Sequence, residues 1–273
     1  MYFKKSKNSY FLDLLDLWKR ISYKLKKNIF TELLILKRRR YLAKKMYLEF
    51  QGEIKYGLFK GVKYEWWRGI NCAKLLGINE KEVLDEIKLI SKKLSNPYFI
   101  DIGSSDGYYP VGFLKKNIFK YCFSFESGEK ERKLIEKNAS SNNVIDRISN
   151  NGYFHGLLSQ KIERKILENS VILMDIAGGE FQIITEEFLQ DIKNSFLIIE
   201  LHDHYFKDGE EKLNTLKNRI NKFFVQKEIK TSQRDLSIFR ELSDIPDSDR
   251  WLMCSEGRRV QGHWLVLYPK RNF

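Results

Sequence analysis

Four apolar runs in this 273-residue chain each close on a carboxylate. Residues 98–100 lead into Asp101, 121–125 into Glu126, 171–174 into Asp175 and 196–199 into Glu200. Short unbroken runs of β-branched and aromatic residues suit strands buried on both faces, which is how parallel strands sit between layers of helix. Helix-like stretches fall at 108–116 and 129–140, with a short strand near 146–149, so β and α alternate along the chain. That alternation predicts an α/β fold with a doubly wound sheet. Ligands of such sheets lie beyond the carboxyl ends of the strands, so Asp101, Glu126, Asp175 and Glu200 are expected to meet in one crevice.

The first of these strand ends carries the turn Asp101-Ile102-Gly103-Ser104-Ser105-Asp106-Gly107. Gly103 and Gly107 permit positive φ and a ligand laid against bare backbone, and the following helix offers unpaired N–H groups. Ser105 stands where the dinucleotide fingerprint needs its middle glycine, which argues against pyrophosphate and against a nicotinamide enzyme. Glu126 follows about 20 residues on, the spacing at which an acid accepts both hydroxyls of a ribose. The segment Asn150-Asn151-Gly152-Tyr153 is placed to meet an adenine edge. The nucleoside cradle predicted is therefore Asp101, Gly103, Ser104, Ser105, Asp106, Gly107, Glu126, Asn151 and Asp175.

In this order the motifs resemble class I S-adenosylmethionine-dependent methyltransferases, and above all their FkbM-type branch. The residues that carry the resemblance are Asp101 to Gly107, Glu126, the acidic Gly-Gly-Glu segment Asp175 to Glu180, and Glu200-Leu201-His202. Ser105 and Gly179 depart from the branch's usual residues, and the likeness spans roughly residues 56–270. The resemblance implies S-adenosyl-L-methionine as cofactor and O-methylation of a saccharide, glycolipid or related hydroxyl. It also implies a mainly parallel seven-stranded sheet, ending in a late pair near 222–229 and 262–268 whose last strand is antiparallel. Base-amino and pyrimidine-carbon methyltransferases carry Asn/Asp-Pro-Pro-aromatic and Pro-Cys motifs. With prolines only at 97, 110, 246 and 269, neither is present.

A hydroxyl acceptor needs a base, and Asp175, His202 and His204 all fall at strand mouths, with Glu200 or Asp203 available to orient the favoured His202. If the strand ran on straight, period two would align Glu200, His202 and His204 as a metal-ligand set. Strands commonly stop sooner, so no metal is assigned. Several residues also have plainer roles: Asp101 as a turn cap, Glu126 as a solvated acid, Asp175 or Glu180 as a helix cap, and His202 as a partner for backbone. Glu256, Arg258 and Arg259 either hold an acidic or hydroxylated acceptor or form a solvated charge cluster.

Charge divides the chain unevenly. Residues 1–60 hold 16 Lys or Arg against 5 Asp or Glu, so +11 of the net +13 lies there and 13 minus 11, or +2, elsewhere. Two amphipathic helices are expected, one over Phe11 to Leu25 and one carrying the block Lys37-Arg38-Arg39-Arg40. They would form an extension over 1–55, followed by a linker or lid with a helix over 56–95 and a catalytic domain over 96–273. Three partners stay open for the extension: the catalytic domain or a second copy of the chain, an anionic membrane face, and, ranked last, nucleic acid. Three scattered cysteines form no metal or disulfide pattern and fit a reducing cytoplasm, with a peripheral seat at the inner membrane face as the membrane option.

Overall fold

The structure, a computed structural model, describes residues 29–270. Helices α1 (Ile29–Phe50), α2 (Cys72–Leu76) and α3 (Lys81–Ser91) lead into β1 (Tyr98–Ile102), α4 (Tyr108–Lys115), β2 (Tyr121–Phe125), α5 (Glu129–Ser141) and β3 (Ile148–Asn151). There follow α6 (Arg164–Leu167), β4 (Ser170–Met174), α7 (Glu180–Ile183), α8 (Glu186–Asp191), β5 (Phe196–Glu200), α9 (Gly209–Ile220), β6 (Phe224–Lys230), α10 (Asp247–Cys254) and β7 (His263–Pro269).

The strands form one sheet in the order β3-β2-β1-β4-β5-β7-β6. Strands β1 to β5 pair in parallel, and β7 runs antiparallel to both β5 and β6. This is the doubly wound, mainly parallel seven-stranded sheet that the sequence and its resemblance lead one to expect. Alternate residues of one strand feed opposite faces: Phe99, Val171 and Ile198 enter one core cluster, while Ile100, Ile172 and Leu197 enter the other. Every residue of β4 and β5 is buried, which is why their sequences read as unbroken apolar runs. Each apolar side chain among them contributes about 1.5–3 kcal/mol by leaving water.

One strand is displaced from its expected place. Residues 145–147 form a 3-10 turn, and β3 starts at Ile148, whose side chain is the first of the run to be buried. Asn150 and Asn151 therefore lie in the strand, registered with Ser124 and Phe125, rather than in a loop.

The expected first helix, over Phe11 to Leu25, lies outside the described residues. The second is present as α1, and its latter half is part of the body: Leu42, Ala43, Met46 and Phe50 are buried in the same cluster as Phe99 and Val171. Two of its three arginines are engaged within the chain. Arg38 donates to both oxygens of Asp249 at 3.0 and 2.5 Å, and Arg39 donates to the Ser255 carbonyl at 3.0 Å. The segment 57–67 is anchored as well. Phe59 and Val62 are fully buried, and the backbone N–H groups of Lys63 and Glu65 donate to Asn142 and Asn138 of α5. No helix among the described residues is long and apolar enough to cross a membrane.

Candidate active site

The chain leaves β1 toward β2 on one side and returns to β4 on the other, so the loops after β1 and β4 part and open a crevice. A cleft of about 360 Å³ fills it. Its walls include Gly103, Ser105, Glu126, Phe154, Asp175 and Ala177.

Glu126 faces this cleft and holds its first wall in shape. Its Oε2 accepts from the Ser105 N–H at 2.8 Å and its Oε1 from the Gly128 N–H at 2.7 Å. A carboxylate oxygen has about two acceptor sites; the Ser127 hydroxyl also donates to Oε1, at 3.3 Å, so it is Oε2 that keeps a site open for a ligand hydroxyl. Both glycines take the positive φ expected of them, 95° at Gly103 and 79° at Gly107, and Gly103 lines the cleft. A Cβ on Gly103 would lie 1.8 Å from the backbone oxygen of Asp175, and one on Gly107 would press on Ile135 and Val111, so both are required by packing between elements. Positive-φ backbone also reaches the ligand side at two non-glycine positions: Ser105 has φ 50° and Ala177 φ 51°, and both line the cleft. Such a conformation costs roughly 1–2 kcal/mol at each position.

Several predicted cradle residues stand behind the cleft instead of on it. Asp101 is 1% exposed, with Oδ2 lacking a hydrogen-bond partner among the described residues, and desolvation pushes its pKa up to about 7. Ser104 is buried and donates to the Asp101 carbonyl at 2.9 Å. Asp106 is buried too, taking Lys74 at 2.9 Å and the Trp67 indole N–H at 2.7 Å. Asn151 turns its amide to the backbone carbonyls of Ser124 and Ser149. Successive residues of a tight turn point in different directions, and only Gly103 and Ser105 of the seven-residue motif, beside Ile102, reach the opening. The wall expected from the 150–153 loop is supplied by Tyr153 and Phe154.

Beside Asp175, which lines the cleft, the structure gathers a second group. One ligand atom each of Asp175, Glu200 and His202 falls within a 4.8 Å span. His202 is oriented by neither Glu200 nor Asp203. Its partner is Glu180, fully buried at the start of α7, whose Oε1 lies 3.2 Å from Nδ1 and also accepts the His202 backbone N–H at 2.8 Å. Oε2 of Glu180 accepts from the Gly178 N–H at 2.8 Å. A carboxylate can only accept, so Nδ1 carries a proton toward Glu180, while Nε2 lies 3.7 Å from Oδ1 of Asp175. Sequence spacing could not find this pair: 22 residues separate Glu180 from His202 and only the folding of β4 beside β5 joins them. His204 lies in a 3-10 turn after the strand, its ring 6.0 Å from that of His202, and is absent from the cluster because β5 ends at Glu200.

Burial and like charge load this corner. Desolvation, then the charge of Glu80, pushes Asp175 up to about 6. Desolvation, then Asp175, pushes Glu200 up to about 8. Burial acts to lower the His202 pKa, but its bond to Glu180 and the carboxylates around it outweigh that and raise it. Arg258 bridges Glu80 at 2.5 Å, Glu256 at 2.8 Å and Glu200. Arg234 in turn joins Glu256 to Glu82. The Ser255-to-Arg259 segment thus splits: Glu256 and Arg258 belong to a buried ion network, while exposed Arg259 pairs with Glu32 of α1. Behind this network a second cleft, of about 480 Å³, is lined by Trp251, Arg258, Arg259 and Gln261 among others.

No family model matches the chain, and no curated protein does. Among solved structures it is similar to TrmK of M. capricolum in complex with S-adenosyl-homocysteine, with 17% identity, 68% of each chain covered and a TM-score of 0.42. It is also similar to the B. subtilis tRNA methyltransferase TrmK, with 13% identity, 66% of this chain and 64% of that one covered, and a TM-score of 0.39. A third is the O-methyltransferase TomG from Streptomyces achromogenes in complex with SAM, with 12% identity, 69% of this chain and 80% of that one covered, and a TM-score of 0.44.

Proposed function

We propose that the protein is an S-adenosylmethionine-dependent methyltransferase of the FkbM-like kind that methylates a hydroxyl of a saccharide, glycolipid or related small molecule. The observation that carries this reading is the open cleft at the switch point, with Glu126 on its wall, Oε2 able to accept one more hydrogen bond and Oε1 able to take a ligand hydroxyl in place of the long bond from Ser127. That arrangement fits a ribose better than a phosphate, since a carboxylate repels one anion and accepts from two hydroxyls. Tyr153 and Phe154 supply an apolar wall for a purine, and Ser105 and Asp175 face the remainder. When bound, the cofactor supplies an electrophilic methyl group. The chain's own task is alignment, exclusion of water and removal of a hydroxyl proton. Glu180 presents His202 Nε2 to the mouth beside Asp175, and this group receives the proton.

Nucleic acid is the weaker acceptor because two arginines of the basic block are already bound to Asp249 and Ser255. Calorimetry with S-adenosylhomocysteine tests the central claim. Binding to the wild type that weakens at least about 30-fold in Glu126→Ala, roughly 2 kcal/mol, is expected. A wild type that binds no S-adenosylhomocysteine sinks the assignment.

A further inference from the structure

Asp175 and Glu200 come from the ends of adjacent parallel strands and stand in contact at the corner of the cleft, with His202 two residues beyond. Two carboxylates held this close repel unless a proton or a cation lies between them. The nearest fixed cation does not supply it: Arg258 takes Oε1 of Glu200 and divides its charge with Glu80 and Glu256.

The imidazole adds an independent observation. Its side chain is 9% exposed, and its Nδ1 is bound by a carboxylate that is fully buried. Its Nε2 makes no hydrogen bond among the described residues and points into the same space, 3.7 Å from Asp175 Oδ1. A histidine whose outer nitrogen is fixed by a carboxylate, leaving the inner one bare beside two more carboxylates, has the layout of a metal ligand with its supporting partner.

We infer that Asp175, Glu200 and Nε2 of His202 form a seat for one divalent cation. One imidazole and two carboxylates make a mixed donor set that suits manganese(II), with positions left for water or a ligand hydroxyl. The seat borders the cleft through Asp175, so a hydroxyl placed on the cation would lose its proton more easily. That role rests on the methyl-transfer reading, whereas the binding itself does not. With the cation seated, His202 serves as ligand rather than base, and Glu180 is the positioning residue in either case.

The experiment is calorimetric titration of manganese(II) chloride into the full chain, with electron paramagnetic resonance to count bound ions. One site per chain with a dissociation constant below about 1 mM is expected, weakened roughly 10-fold or more in Glu180→Gln and further in His202→Ala. Glu180→Gln keeps the side-chain shape and serves alone if His202→Ala does not fold. No manganese bound by the wild type, or binding that both Glu180→Gln and Glu200→Gln leave unchanged, overturns the inference. S-adenosylhomocysteine titrated in parallel separates the two readings: manganese bound without it leaves the cation seat standing and removes the nucleoside.

Discussion

Single residues in this protein do work that their neighbours in sequence do not announce. Asp101 opens the glycine motif yet lies buried behind it, with a pKa of about 7 against an ordinary 3.8. Its folded-state pKa is raised, so the native state holds a proton that the unfolded chain releases above its own lower value. Stability from this group is therefore lost as pH climbs from about 4 to about 7, and is flat beyond, by the linkage of proton binding to folding. Asp101→Asn removes this dependence, and denaturant melts at pH 5 and pH 8 should show the variant gaining on the wild type at the higher pH. Its affinity for S-adenosylhomocysteine should stay near the wild-type value, because the carboxyl does not reach the cleft. Ser105 and Ala177 present the opposite case, a strained backbone that does reach it. Glycine at either position should raise stability by about 0.5–1 kcal/mol, the relief of the left-handed penalty less the entropy of glycine. A denaturant midpoint that falls instead would show that the side chain is needed where it stands.

At the scale of elements, α1 was legible as a helix from its charge and apolar spacing, but its attachment was not. Leu42, Met46 and Phe50 contribute to the core that covers one face of the sheet, so the helix end belongs to the folded body. Met46, 3% exposed, is a fair probe: Met46→Ala should lower global unfolding free energy by about 2–4 kcal/mol through lost burial and a residual cavity. A change under 0.5 kcal/mol would mean that α1 opens independently of the sheet. The same helix exposes Leu33 to Leu36, each 43–51% accessible, in its first half. Of the parallel strands, β1, β2, β4 and β5, by contrast, were placed within two residues from their apolar runs, whereas β3, with one buried residue of four, has no such run to mark it.

For the whole molecule, the ion network around Arg258 ties together parts of the chain that lie far apart in sequence. Glu80 precedes α3, Glu200 ends β5 and Glu256 follows α10, yet one guanidinium meets all three. Arg258→Leu would strand buried carboxylates and should cost about 3–5 kcal/mol, measured by chemical denaturation. An unchanged midpoint would show the network to be incidental. What the sequence by itself determined was the sheet, its order of layers and the end at which ligands are met, because these follow from local periodicity and from strand ends that carry polar groups. The acid of β2 belongs to the same legible set. Only the tertiary structure decided which side chains of the glycine turn face the opening, that Glu180 and not Glu200 holds His202, and that Glu200 answers to Arg258. Those outcomes depend on the register between separate strands and on the direction of each side chain, and neither is encoded in the spacing of residues along one strand.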